Sequence, residues 1–397
     1  MVPPLDRSLF DLADAVWALH CAEGPVPRPA VEAARAHLEK ELRPWELAHD
    51  QWLKPSEDVR RRAASLFGAA RPEDFTLTSS TSGGLTWVAQ SYPWAKGDEV
   101  LAPLGEFPSN VWPWKALAPR GVGLREVPLW DGHLSGKRAL ESAPPRAGLD
   151  PESRLLDAIG PRTRVLTASW VRFQDGLRLD LERLARGCAA RGVDLVIDGI
   201  QGAGTLPLAL EEARVAAFAT GVHKGLLAPQ GAGLLWTHPA FRERLWPLGS
   251  WLSVEEGGDF RRSATDYDRP WLGDGRKFEQ GGMGGLLLIP LARALEVLHA
   301  AGTESIARHI DALQGSLLAR LQGPEAERLE GLRRAGRLGS ILSFHHGGRG
   351  VEALSAQMQE GLRRRIFSSV REGYLRVALH GWHDDTDVER LAHWLST

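Results

Sequence analysis

Short apolar runs alternate with segments of helical periodicity along the first three quarters of the chain. Residues 30–42 (AVEAARAHLEKEL) and 56–69 (SEDVRRRAASLFGA) space apolar side chains at three and four residues among good helix formers, which predicts two helices. FTLTSS (75–80) reads as a strand running into a Gly/Ser/Thr turn, and GGLTWVAQSY (83–92) as the helix after it. EVLAPL (99–104), TRVLTASWV (163–171), VDLVIDG (193–199) and GAGLLW (231–236) are apolar runs of strand length. Runs of that kind belong to strands buried on both faces. A helix over LDLERLARGCAARG (179–192) falls between two of them. This alternation predicts an α/β domain with a largely parallel sheet.

After Pro290 the pattern changes. Residues 291–322 read as strongly helical, SILSFHH (340–346) and GYLRVAL (373–379) as strands, and TDVERLAHWLS (386–396) as a last helix. Together they predict a smaller α+β domain at the C-terminus. The expected organisation is an N-terminal segment over 1–28, a large domain over 29–290 and a small domain over 291–397. The Pro- and Arg-rich stretch 143–154 reads as an insertion loop. A chain of 397 residues is consistent with about two domains.

Composition mainly excludes. A net charge of −2 gives no general attraction to nucleic acid or anionic membrane. The runs Arg60–Arg62 and Arg363–Arg365 lack interleaved aromatics and read as solvated helix faces. No apolar run approaches the ~20 residues that span a bilayer. Two cysteines, Cys21 and Cys188, cannot build a disulfide framework, and no CxxC suggests a metal site. The first residues lack the basic flank and apolar core of a secretory signal, so a reducing cytoplasm is the expected compartment.

Against this background ATGVHKGLLAPQGAGLLW (219–236) stands out, because Lys224 has no acid within ten residues on either side. A lysine in an apolar setting is paired, deprotonated or covalently used, unless a surface loop lets it reach water. In open α/β sheets chemistry gathers at the carboxyl ends of strands. One predicted strand end brings Asp198 and Gln201 in VIDGIQGAG (196–204), and another brings TSSTSGGL (78–85), a helix start able to hold a phosphate. The spacing of Gly199, Gly202 and Gly204 does not match a dinucleotide fingerprint. A lysine, a carboxylate and a phosphate cup on neighbouring strand ends suit pyridoxal 5′-phosphate: a Schiff base on the lysine, and a carboxylate to keep the pyridine nitrogen protonated.

VIDGIQGAGTLPL (196–208) with VHKGLLAPQGAGLL (222–235) closely resembles the class V aminotransferase family of fold-type I pyridoxal-phosphate enzymes. That family includes cysteine desulfurases, selenocysteine lyases, kynureninases and isopenicillin N epimerase. The resemblance runs from ALHCAEGPVP (18–27), like the family's early active-site segment, to GYLRVALHGWHDD (373–385). It implies the fold-type I architecture: a large domain on a mostly parallel seven-stranded sheet flanked by helices, with a smaller α+β domain. It implies that Lys224 carries the cofactor, that Asp198 faces the pyridine nitrogen, and that Gln201 donates to the phenolic oxygen. Thr81, Ser82 and Gly83 would bind the phosphate with His223 beside it, and Phe107 in EFPSNVWPW (106–114) would stack on the ring. Arg376 would clamp the substrate carboxylate, with His20 of the early segment also facing the substrate. A homodimer acting on an amino acid as its small-molecule substrate is implied as well.

Three departures bear on activity. The segment FEQGGMGG (278–285) has Gly281-Gly282 where many members have Gly-Thr, and Gly221 stands three residues before the lysine where a serine is common. Residues 189–397 hold no cysteine, which argues against a desulfurase working through a protein persulfide. Arg172, where relatives often have a small or polar residue, reads as a contact for a second acidic group on the substrate. Transamination is the default expectation. Cleavage of carbon–sulfur or carbon–selenium bonds, or epimerisation, shares the same first steps.

Overall fold

The computed structural model describes residues 2–47 and 52–397. The two early helices are α1 (Arg28–Glu41) and α2 (Lys54–Leu66), each with proline in its first turn, where a missing N–H is harmless. Seven strands form the main sheet: β1 (Phe75–Thr78), β2 (Glu99–Pro103), β3 (Gly123–Val127), β4 (Thr163–Ser169), β5 (Asp194–Asp198), β6 (Ala217–Gly221) and β7 (Gly233–Thr237). Their order is β3-β2-β4-β5-β6-β7-β1. Neighbours from β3 to β6 are parallel, and β7 runs antiparallel to both β6 and β1. The carboxyl ends of β1 to β6 therefore lie along one edge of the sheet. Helix α3 (Thr81–Ser91) starts there, its Ser80 cap accepting from Gly83 N at 3.1 Å.

Two of these strands escaped the hydrophobic pattern. β3 is an edge strand with exposed Gly123 and Arg125, so its apolar content is low. β6, AFATG, is fully buried, but apart from Phe218 it is made of small residues. Helix α4 (Leu181–Ala189), capped by Asp180, follows β4 and precedes β5 along the chain as expected.

The helical stretch expected over 291–322 is formed by two helices, α5 (Gly285–Ala301) and α6 (Thr303–Leu318), broken at Gly302 with φ 75° and meeting at 71°. Glycine tolerates that conformation without a Cβ clash. The expected domain boundary at Pro290 thus falls inside α5, against which α1 and α2 pack. Helices α7 (Pro324–Arg334) and α8 (Val351–Arg363) follow, with an antiparallel sheet of β8 (Ile341–His345), β9 (Ser369–Arg371) and β10 (Tyr374–Ala378) in the order β9-β10-β8. Helix α9 (Asp385–Leu395) opens on a capping box between Asp384 and Asp387.

The N-terminal segment belongs structurally with this small sheet. Val16–Trp17 pairs with Ile366–Phe367, and Leu19 bridges Ala378. One core, including Leu166, Leu234, Leu375 and Trp394, runs from the main sheet into the C-terminal module. A second core, with Leu85, Val100, Val196 and Leu235, covers the opposite face of the main sheet. Among the described residues no single helix is long and apolar enough to cross a membrane. The architecture is α/β with a mostly parallel seven-stranded sheet and a smaller α+β module, as the sequence led us to expect.

Candidate active site

Lys224 sits three residues beyond β6, on the loop that turns back into β7, and is only 9% exposed. Its neighbours come from separate strand ends. Asp198 is the last residue of β5, in register with Ala219 of β6, which sets it beside the lysine loop. The Asp198 carboxylate is buried and accepts one hydrogen bond among the described residues, from Ile200 N at 3.0 Å. Burial, opposed by the Ile200 N–H and Lys224 and aided by Glu106, pushes its pKa up to about 7. Burial likewise holds the Lys224 amine below the ordinary lysine range, with Asp198 opposing and Arg376 adding to the fall. Lys224 makes no ion pair within 4.0 Å among the described residues, and its Nζ lies 5.5 Å from the centre of the Phe107 ring.

Gln201 donates Nε2 to Cys21 O at 3.0 Å, while its buried Oε1 has no partner among the described residues. Cys21 is buried on the early segment, which crosses the lysine loop where Gly24 N donates to His223 O at 2.7 Å. His223 is half-buried, and burial together with the neighbouring lysine lowers its pKa. His20 is buried with Nε2 3.0 Å from Ser340 Oγ, and burial first, then His380 and His383, keeps it neutral.

The expected phosphate residues gather at the start of α3, with their side chains engaged. Thr81 Oγ1 accepts from Gly221 N at 2.7 Å, tying the helix to β6 where the family's serine is missing. Ser82 Oγ donates to Ser109 Oγ at 2.7 Å. Gly83 N is taken by Ser80 Oγ and Gly84 N by Ser80 O, so among the described residues the backbone N–H groups of Thr81 and Ser82 and the Thr81 O–H are the available donors.

Arg376, on β10, is buried rather than facing solvent. Its Nε and Nη2 donate to Ser369 Oγ at 3.0 and 2.8 Å, and Nη1 donates to Phe173 O at 2.7 Å. Phe173 in turn meets Phe107 edge-on at 5.1 Å, so the guanidinium and the aromatic lid are linked through one residue. Arg172 points elsewhere. Its Nε donates to Asp175 at 2.9 Å, Nη1 to Leu104 O at 3.1 Å, and Nη2 lies 3.2 Å from His133 Nε2. All three of its nitrogens therefore have protein partners.

Sequence reasoning missed a polar network under Phe107. Glu106 accepts from Ser169 N at 3.0 Å, from Ser169 Oγ and from Asn110 Nδ2 at 3.2 Å. Asn110 accepts from Thr167 Oγ1 at 2.5 Å and Trp114 Nε1 at 3.2 Å. The network fixes the turn presenting Phe107, which is 38% exposed. The readable signal was a glutamate directly before the expected stacking residue.

The model of the family described as aminotransferase class-V matches residues 43–361. An isopenicillin N epimerase of Amycolatopsis lactamdurans is 32% identical over 234 residues, 58% of this chain and 56% of its own length. A cysteine desulfurase of Dickeya dadantii is 27% identical over 295 residues, 73% of this chain and 66% of its own length. The chain thus spans less than two thirds of the length of both relatives. Among solved structures, a mutant of C-DES with glycine covalently linked to its PLP cofactor superposes with a TM-score of 0.83. It is 22% identical, covering 98% of this chain and 99% of that one, a likeness that establishes the shared fold. The match over residues 43–361 places this chain in the aminotransferase class-V family.

Proposed function

We propose that this protein is a pyridoxal 5′-phosphate enzyme that removes the α-proton of an amino acid and expels a sulfur substituent from its β-carbon. The observation that carries the reading is Lys224, a buried amine without an ion-pair partner, set between Asp198 and the Phe107 ring. The residues fit the cofactor. Asp198 has a buried carboxyl that only one backbone N–H satisfies, Gln201 keeps a second N–H proton free beyond its bond to Cys21, and the start of α3 offers open amides. When bound, the cofactor supplies an aldehyde for the amine and a ring that draws electrons from the α-carbon.

The chain's own residues do the rest. Lys224, with its amine favoured in the neutral form by burial, takes the α-proton as base and returns a proton as acid. Arg376 orients the substrate by its carboxylate, held for that task by Ser369 and the Phe173 carbonyl. Phe107 closes one face and excludes water from it.

Elimination is preferred to the transamination default because the relatives bear desulfurase and epimerase names, and a second matching structure is titled a cystine C–S lyase. Both cysteines of this chain are buried, which favours sulfur leaving on the product rather than on the protein. Epimerisation is the second reading, carried by the 32% identity to isopenicillin N epimerase. A homodimer accompanies the proposal, supported by exposed aromatics at Trp246, Trp251, Phe260, Tyr267 and Trp271.

The test is an absorption spectrum of the protein mixed with cofactor, borohydride reduction with peptide mapping, and product identification with L-cystine. Labelling at Lys224 and release of pyruvate, ammonia and cysteine persulfide are expected, with water consumed. A 2-keto acid that retains the side chain would replace elimination by transamination, and an inverted amino acid would replace it by epimerisation. Absence of label at Lys224 would end the reading.

A further inference from the structure

The loop carrying Lys224 is held mainly by backbone: Leu227 N bonds Lys224 O at 3.1 Å and Ala228 N bonds Val222 O at 3.0 Å. Among the described residues one side chain hydrogen-bonds residues 222–228, and it is His380, whose Nε2 lies 3.1 Å from Gly225 O. The tautomer follows from the other nitrogen. Nδ1 faces Gly381 N at 2.7 Å and must accept, so Nε2 carries the proton and donates.

The imidazole cannot swing away. It is fully buried, stacked on Trp382 at 4.5 Å and 11°, and met edge-on by His20 at 5.1 Å and 88°. Burial depresses its pKa to about 3, so it stays a neutral donor across the working range. The accepting carbonyl is equally confined. A Cβ on Gly204 would lie 2.2 Å from Gly225 O, and one on Gly225 would lie 2.3 Å from Ala203 O. The lysine loop thus packs backbone to backbone against the turn that follows Asp198.

His380 leaves β10 four residues after Arg376. We propose that His380 is a positioning residue for Lys224: by holding the Gly225 carbonyl it locks the small sheet, and Arg376 with it, to the loop that carries the amine. The small sheet also reaches the rest of the chain through Arg376 and the Phe173 carbonyl and through Gly24 N and His223 O, but among the described residues His380 is the side chain that ties it to the lysine loop itself. This inference rests on the role given to Lys224 above.

The test compares His380→Phe, which keeps a ring for Trp382 but removes the donor, with His380→Gln, which restores an N–H near the position of Nε2. Deuterium uptake of peptides covering residues 222–228 is followed beside the rate at which cofactor-free protein captures pyridoxal phosphate. His380→Phe is expected to raise uptake in that loop and slow capture about fivefold, the effect of one hydrogen bond. His380→Gln should stay within about twofold of wild type on both. Equal behaviour of His380→Phe and wild type, or equal failure of Gln and Phe, would overturn the proposal. If His380→Phe does not fold, His380→Asn, too short to reach Gly225, takes its place against Gln. Failure of the wild type to capture the cofactor would sink the functional reading alone, and the deuterium comparison would still decide the role of His380.

Discussion

Lys224 Nζ stands 5.5 Å from the centre of the Phe107 ring, bringing a strand-end amine from β6 and an aromatic from the loop after β2 to the same space. Phe107 is 38% exposed and contributes little to the core, so an aromatic ring placed beside the amine suits a ligand-facing role. Phe107→Ala should leave the melting temperature within a few degrees. It should weaken cofactor affinity about fivefold to tenfold, the worth of one aromatic stacking contact. A spectrophotometric titration of cofactor-free protein measures this, and unchanged affinity would remove Phe107 from the site.

Much of the site was legible because its members lie at strand ends with short local signatures. Asp198 is a carboxylate closing an apolar run, and Lys224 an amine without nearby acids. What could not be read depends on contacts distant in sequence. Strand alternation puts Arg376 on the face opposite Leu375 and Val377, but nothing local shows that the Phe173 carbonyl, 203 residues away, meets its guanidinium there. The sequence names Thr81 as a phosphate residue but does not show that its hydroxyl also accepts from Gly221 N of β6, 140 residues away. Helices α7 and α8 went unseen because few of their residues are buried, leaving a weak apolar stripe.

Arg376 should separate substrate binding from cofactor binding. Arg376→Lys keeps the charge but loses the two-pronged geometry, so KM for the amino acid should rise about tenfold or more. Cofactor affinity should stay within about twofold, because a clamp for the substrate carboxylate has no part in holding the ring. Initial rates against substrate concentration check the first expectation and absorbance titration the second. An unchanged KM would leave Arg376 as a packing residue.

Arg172 should behave as a structural residue. It forms a fully buried ion pair with Asp175 at 2.9 Å, and its side chain lies against Trp130. Arg172→Ala strands a buried carboxylate, and breaking such a pair destabilises by about 3–5 kcal/mol. Denaturant unfolding should show that loss. A variant of near wild-type stability with an altered preference for acidic substrates would instead restore the recognition role that its sequence position suggests.

Gly24 controls how closely the early segment covers the lysine loop. A Cβ there would lie 2.2 Å from Lys224 O and 2.8 Å from a Leu227 methyl, and the nearer atom is backbone that cannot yield. Gly24→Ala should therefore lift the segment, open the site to water and lower kcat by about tenfold or more, since small displacements of reacting groups carry large rate penalties. Stopped assays with circular dichroism as a folding control decide it. Full activity would show that the segment is not part of the site wall.

Asp198 gives a signature that needs no turnover. Its folded carboxyl titrates at about 7 against 3.8 for an unperturbed aspartate, chiefly through burial. Between these values the folded chain holds a proton that the unfolded chain has released. Stability of the cofactor-free protein from this group therefore falls as pH rises from about 4 to about 7, and the penalty is complete above 7. Asp198→Asn cannot ionise, so the variant should gain on wild type across that window by up to about 4 kcal/mol. Urea denaturation of both proteins at pH 4.5 and pH 8 measures the change, about which other titrating groups cancel. Added cofactor at pH 8 should then stabilise wild type more than the variant, because only the carboxylate can pair with a protonated ring nitrogen. A stability gap that does not move with pH would mean that Asp198 is already ionised in the folded protein, and its partner would have to be sought elsewhere.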